Sequence, residues 1–89
     1  MKFEYPRTRF ASEDIGVICC KVMSEANEVI QEVIKMEPDL FALAIELHDV
    51  KQTASTGLEK LRDMGINIDR AHEAMIEKNA IRHYYGVSP

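Results

Sequence analysis

The feature that most constrains this chain is a pair of apolar stripes separated by a single proline-containing break. The first stripe consists of Ile15, Cys19, Val22, Ala26, Val29, Val33 and Met36. The second consists of Leu40, Leu43, Leu47, Val50, Ala54, Leu58 and Leu61. Steps of three and four residues keep such side chains on one face of an α-helix. Pro38 disfavours helix at the residue before it and suits the first turn of a new helix. The pattern predicts two long helices joined by a short turn.

Capping residues set the expected bounds of these helices. Ser12 precedes two acidic residues, which suits an N-cap and the positive end of a helix dipole, so the first helix should span about 12–36. The second helix should begin directly after Pro38. It should stop at Gly65, a natural left-handed residue after a helix end.

A third, shorter helix should complete the domain. Asp69 is a good N-cap, and the helix should run through Arg82 or His83. The expected organisation is an irregular N-terminal arm at 1–11, a single all-α domain at 12–85 and a tail at 86–89.

The predicted helix lengths favour self-association. The turn at Pro38 is long enough only for an antiparallel hairpin. At 1.5 Å per residue its two helices are each roughly 35–40 Å long, and one short third helix cannot cover both stripes. A chain of 89 residues also buries only a modest share of its surface alone. We therefore expect a homodimer, or a dimer of dimers, in which two hairpins complete a four-helix bundle.

Charge and hydropathy exclude several classes of function. Fifteen acidic residues against eleven basic ones give a formal charge of −4, which argues against a nucleic-acid partner. The longest apolar run, 40–45, is far shorter than the roughly 20 residues of a membrane span. Cys19 and Cys20 are adjacent and cannot close a loop with each other, so both should be reduced. These features predict a cytoplasmic protein with neither a nucleic-acid nor a membrane partner.

Four acidic residues occupy mirror-related positions about the turn. Glu25 and Glu28 lie on the first helix and Glu46 and Asp49 on the second, with both pairs centred on residue 37. An antiparallel hairpin would place Glu28 level with Glu46 and Glu25 level with Asp49. Crowded carboxylates repel one another unless a cation neutralises them, and a hard divalent ion such as Mg²⁺ or Mn²⁺ suits oxygen ligands. The alternative that these are ordinary solvated helix acids stays open.

Three basic residues could act near these acids. Lys21 lies one turn before Glu25 on the same face, where it could form an ion pair or reach a bound phosphate. Lys78 and Arg82 share the side of the third helix that should face the bundle. Such long cations either extend to solvent or contact phosphates.

Two segments resemble a known family. Residues 21–30, KVMSEANEVI, and residues 46–49, ELHD, resemble the EExxE…ExxD signature of the all-alpha NTP pyrophosphohydrolases. This superfamily includes the MazG-like enzymes and the phosphoribosyl-ATP pyrophosphohydrolases. A third segment, GINID at 65–69 followed by Glu77-Lys78-Asn79 and Arg82, resembles the closing segment of the superfamily, and Lys78-Asn79 favours its MazG-like side. The resemblance covers about residues 15–83.

The resemblance implies Mg²⁺-dependent cleavage of a nucleoside triphosphate to the monophosphate and pyrophosphate, a house-cleaning type of hydrolysis. It implies metal-binding and catalytic roles for Glu25, Glu28, Glu46 and Asp49. It implies contacts with the nucleotide for Lys21, Lys78, Asn79 and Arg82. Ser24 stands where the family has its first Glu, and residues 1–11 are too short for the helix that usually comes first. Two alternatives remain: a non-catalytic helical dimerisation or adaptor module of the same fold, and a phosphoribosyl-ATP pyrophosphohydrolase.

Overall fold

The structure, a computed structural model, is all-helical over the residues it describes, 5–6 and 8–86, which include no strand. A short 3-10 turn (Arg9–Ser12) precedes α1 (Ile15–Val33), α2 (Leu40–Asp63) and α3 (Ile68–Ile81). The prediction of an all-α chain with two long helices and a shorter third is confirmed. The predicted arm and tail fall partly on residues 1–4, 7 and 87–89, which lie outside the described residues.

The first helix is shorter than predicted at both ends. Its N-cap is Asp14, in extended backbone, and α1 ends at Val33. Ser12 lies instead in the preceding 3-10 turn, where its hydroxyl donates to the Arg9 carbonyl at 3.1 Å. Glu13 has extended backbone, so α1 begins after Asp14 rather than directly after Ser12.

The turn between α1 and α2 is held by Glu32. Its Oε1 accepts from the backbone N–H of Asp39 at 3.1 Å, and its Oε2 accepts from Lys35 Nζ at 2.7 Å. These bonds, chiefly the one from Lys35, lower the pKa of the Glu32 carboxyl. Asp39 in turn caps α2 by accepting from the N–H groups of Phe41 and Ala42. Glu32 thus fastens the end of α1 to the start of α2.

The second helix ends just before Gly65, as the sequence predicts. Gly65 has φ +95, and its N–H donates to the Arg62 carbonyl at 2.9 Å. The N–H of Ile66 donates to the Leu61 carbonyl at 3.0 Å. This pair of bonds is a Schellman motif, which satisfies the last carbonyls of a helix.

The third helix begins differently from the prediction and packs lightly. Its N-cap is Asn67, whose side chain accepts from Arg70 N, while Asp69 lies in the first turn. Asn67 occupies the N-cap position because it directly follows the Schellman motif that ends α2. The predicted inner face, with Ala71 and Met75, lines a recess against Leu58 of α2. None of the α3 residues is buried.

The contact between α1 and α2 is centred on small residues of α2. Ile18 is only 1% exposed and faces Gly57, where an added Cβ would lie 3.4 Å from Ile18 Cγ2. Thr53 and Thr56 are also buried. Three members of the predicted first stripe, Cys19, Val33 and Met36, are exposed in the single chain. Ile18, which is not a member of that stripe, fills the contact with Gly57.

The apolar start of α2 is also exposed in the single chain. Leu40, Phe41 and Ile45 all keep about half or more of their surface accessible. The reason is that α1 covers only one side of α2 and α3 lies at its other end. Within the described part of the chain, no helix combines the length and apolar character needed to cross a bilayer.

Gly57→Ala is expected to stabilise the chain by about 0.5–1 kcal/mol, because alanine favours helix over glycine by roughly that amount. The added methyl meets Ile18 at 3.4 Å, which is ordinary van der Waals contact. Urea unfolding would measure the gain. Gly57→Leu, which overfills the same contact, should instead destabilise; a gain for both variants would contradict this packing.

Candidate metal centre

Four carboxylates from α1 and α2 converge at one level of the hairpin. One oxygen from each of Glu25, Glu28, Glu46 and Asp49 lies within 4.8 Å of the others. Glu28 is exposed, and the other three are partly shielded by the helices. The predicted convergence of these side chains is confirmed, and the cluster they form could bind a metal ion.

The turn sets the register that brings these acids together. Two residues three apart on a helix lie on neighbouring turns of one face, so each helix presents a pair. The pairs meet only if the turn has the right length. A slip of one residue would shift a helix by about 1.5 Å and rotate it by about 100°. The hydrogen bond from Asp39 N to Glu32, at 3.1 Å, holds the turn and with it the register of the two helices. It therefore helps to bring the four acids together, although it lies outside their cluster.

Crowding changes the ionisation of Glu25. Burial raises the pKa of its carboxyl, a hydrogen bond with Glu28 adds to the rise, and the negative charges of Glu28 and Asp49 act in the same direction. Lys21 opposes the rise. The Glu25 side chain is 15% exposed, so water screens these charges only in part.

The donor set fits a hard divalent cation. Oε2 of Glu46 is buried and has no hydrogen-bond partner, a costly state for a carboxylate oxygen. The remaining donors are also carboxylate oxygens, which Mg²⁺ and Mn²⁺ prefer. Oxygen ligands of one Mg²⁺ lie about 3–4 Å apart, so a spread of 4.8 Å would close with small side-chain movements.

The metal-free protein is expected to lose stability relative to Glu25→Gln as the pH rises above the range in which an ordinary glutamate titrates. The pKa of Glu25 is raised in the folded state, so its contribution is present at low pH and lost as pH rises through that pKa. The pKa of Glu32 is lowered, so its contribution to stability changes with pH in the opposite direction. The pH dependence of the wild type must therefore be compared with that of Glu25→Gln. Urea midpoints in EDTA would measure it. Parallel pH curves for the two proteins would contradict the crowding.

Lys21 forms the predicted ion pair with Glu25, with Nζ 3.6 Å from Oε1. The same Nζ lies 4.2 Å from the centroid of the Phe10 ring. Ser24 is exposed and lies with Cys20 and Met23 on another surface of α1. Ser24 therefore lies outside the four-carboxylate cluster.

The basic end of α3 does not reach the cluster through any contact that the structure describes within one chain. Lys78 is exposed, the Arg82 guanidinium lies 6.0 Å from the Tyr84 ring centroid, and the Asn79 carbonyl accepts from Tyr84 N. Roles for Lys78, Asn79 and Arg82 in nucleotide binding stay predictions.

The sequence analysis missed the contacts of the N-terminal arm. A 2.7 Å hydrogen bond joins Tyr5 Oη to His48 Nδ1, next to Asp49, and Phe10 contacts Lys21. The arm has no periodic pattern, and these pairs are separated by up to 43 positions in the chain. No local sequence signal could have found them.

Comparison with protein-family models, curated proteins and solved structures gives no match for this chain. The functional assignment therefore rests on the geometry of the four carboxylates and on the sequence resemblance of the segments that carry them.

Proposed function

We propose that this protein is a Mg²⁺-dependent nucleoside triphosphate pyrophosphohydrolase that converts a (d)NTP to the monophosphate and pyrophosphate. The observation that carries the proposal is the convergence of Glu25, Glu28, Glu46 and Asp49 within 4.8 Å. The unpartnered buried oxygen of Glu46 supports it, because that atom lacks the partner that a cation would provide. The spacing of the same four residues resembles EExxE…ExxD, and this resemblance indicates which class of reaction to propose.

Each carboxylate has a role in this proposal. Glu25, Glu28, Glu46 and Asp49 would together hold the ion, Mg²⁺ or Mn²⁺. The bound ion supplies charge neutralisation and Lewis acidity to the triphosphate oxygens. A carboxylate oxygen that remains free would accept the proton of the attacking water. Water adds across the α–β anhydride, one P–O bond breaks, and pyrophosphate leaves.

We further propose that the active form is a homodimer, alone or paired into a tetramer, with a four-helix bundle built from two hairpins. The accessible surface of one chain is 7157 Å², whereas a compact monomer of this mass exposes about 5,300 Å². The radius of gyration is 15.4 Å, against about 12 Å for a compact chain of this length. The excess surface is the size that an obligate dimer buries.

An apolar groove marks the face that a second copy would cover. It runs between α1 and α2 and is lined by Ile15, Ile18, Cys19, Val22, Ala54, Gly57, Leu58 and Leu61. The same exposed apolar surface, together with Ser24, also favours the second candidate function, a non-catalytic dimerisation module.

One assay separates these candidates. Purified protein is incubated with Mg²⁺ and a panel of canonical and modified (d)NTPs, with phosphoribosyl-ATP included, and the first product is identified. Pyrophosphate is expected, and the best substrate separates the MazG-like from the phosphoribosyl-ATP variant. Orthophosphate as first product would mean that a different bond is cleaved. No turnover, together with no Mn²⁺ binding by electron paramagnetic resonance, would favour the dimerisation module.

A further inference from the structure

The N-terminal arm is fastened along α2 by side-chain hydrogen bonds. Thr56, only 4% exposed, donates its hydroxyl proton to the Gln52 carbonyl at 3.1 Å. Its oxygen can therefore accept from the Thr8 hydroxyl, 3.1 Å away. Ala11 is buried, and its N–H donates to the Thr8 carbonyl at 3.2 Å, which closes the 3-10 turn. These contacts fix the backbone on both sides of Phe10.

The ring of Phe10 faces Lys21, a charged residue at the edge of the acidic cluster. Lys21 Nζ lies 4.2 Å from the ring centroid and 3.6 Å from Glu25 Oε1. The Arg9 guanidinium lies 5.2 Å from the same centroid. An ammonium at this distance from a ring is within range of a cation–π interaction. Lys21 is therefore held from two sides, by a carboxylate and by an aromatic face.

The two contacts respond differently to a bound cation. A divalent ion bound by Glu25 partly neutralises that carboxylate and repels the Lys21 ammonium. The ion pair between Lys21 and Glu25 therefore weakens. The Phe10 ring has no net charge that a cation could neutralise, so its contact with Lys21 persists. A lysine without the ring has many rotamers in which its charge points away into solvent.

We propose that Phe10 is a positioning residue, whose ring holds the Lys21 ammonium at the edge of the acidic cluster so that it binds an oxyanion of the phosphate chain. The inference rests on the proposed function, since it assumes that a polyphosphate is the ligand. It gives the N-terminal arm a part in substrate binding, although none of the arm's described residues belongs to the acidic cluster.

The test uses inorganic tripolyphosphate with Mg²⁺, a probe that has the phosphate chain but no base. Titration calorimetry compares the wild type with Phe10→Leu, Lys21→Met and the double variant. Phe10→Leu should weaken binding about three- to fivefold, the range of one cation–π contact. Lys21→Met should weaken it about tenfold or more. The double variant should bind no more weakly than Lys21→Met, because Phe10 acts only through Lys21.

Three further readouts separate positioning from folding. Phe10→Tyr should restore wild-type affinity, and the Mn²⁺ affinity of Phe10→Leu should stay within about twofold of the wild type. The upfield ring-current shift of the Lys21 ε-protons should disappear in Phe10→Leu. Additive losses in the double variant, or no ring-current shift in the wild type, would overturn the inference and leave the hydrolase proposal intact. Coupled losses in a protein that releases no pyrophosphate would overturn the hydrolase proposal alone.

Discussion

Glu46→Gln is expected to abolish the proposed release of pyrophosphate, with a loss of about a hundredfold or more in kcat/KM. The substitution keeps the size of the side chain but replaces an anionic oxygen donor with an amide. Glu46 is also the residue whose Oε2 is buried without a hydrogen-bond partner. A cation bound by this cluster should therefore depend strongly on it, and Mn²⁺ affinity should fall by about tenfold or more.

Stability separates this effect from misfolding. Without metal, Glu46→Gln removes one of four crowded negative charges, so its melting temperature in EDTA should match or exceed that of the wild type. Glu73→Gln is the matched control, since Glu73 lies on α3, 3.7 Å from Arg70. It should retain full activity. A Glu46→Gln protein with wild-type turnover and wild-type Mn²⁺ affinity would contradict the proposed site.

Cys19→Glu is expected to dissociate the proposed homodimer and to lower the melting temperature by about 10 °C or more. Cys19 is exposed in the single chain but lines the apolar groove between α1 and α2. A second copy seated on that groove would bury the new carboxylate without a partner, at a cost of several kcal/mol. Light scattering coupled to gel filtration should show half the wild-type mass.

The neighbouring cysteine supplies the control. Cys20 is also exposed, and it lies on another surface of α1 with Met23 and Ile30. Cys20→Glu should leave the mass unchanged. Dissociation by Cys20→Glu alone would place the interface on that other surface. A wild-type protein that is monomeric at every concentration tested would contradict the four-helix bundle.

The acidic cluster could be predicted because it depends on local rules. Helical spacing places each pair of acids on one face, and Pro38 marks where the chain reverses, so the residues level with each other follow from counting. The stop at Gly65 has the same character, since a left-handed residue after a helix end depends only on its neighbours. Neither feature requires knowledge of how the helices pack.

What the sequence did not predict depends on backbone conformation or on packing. Ser12 is the predicted cap of α1, but it belongs to a 3-10 turn, and the extended backbone of Glu13 and Asp14 delays the start of the helix. The close contact between Ile18 and Gly57 depends on the room that the glycine leaves. These two residues are far apart in the chain, and the periodicity of each helix does not show that they meet.

The position of the acidic cluster between two packed helices links ligand occupancy to the unfolding equilibrium. In the metal-free chain the like charges push α1 and α2 apart at the level of the cluster. A cation that binds only the folded hairpin would reverse this push and stabilise the fold by an amount that grows with the logarithm of its concentration. The lifetime of the folded protein would then follow the supply of divalent ions around it.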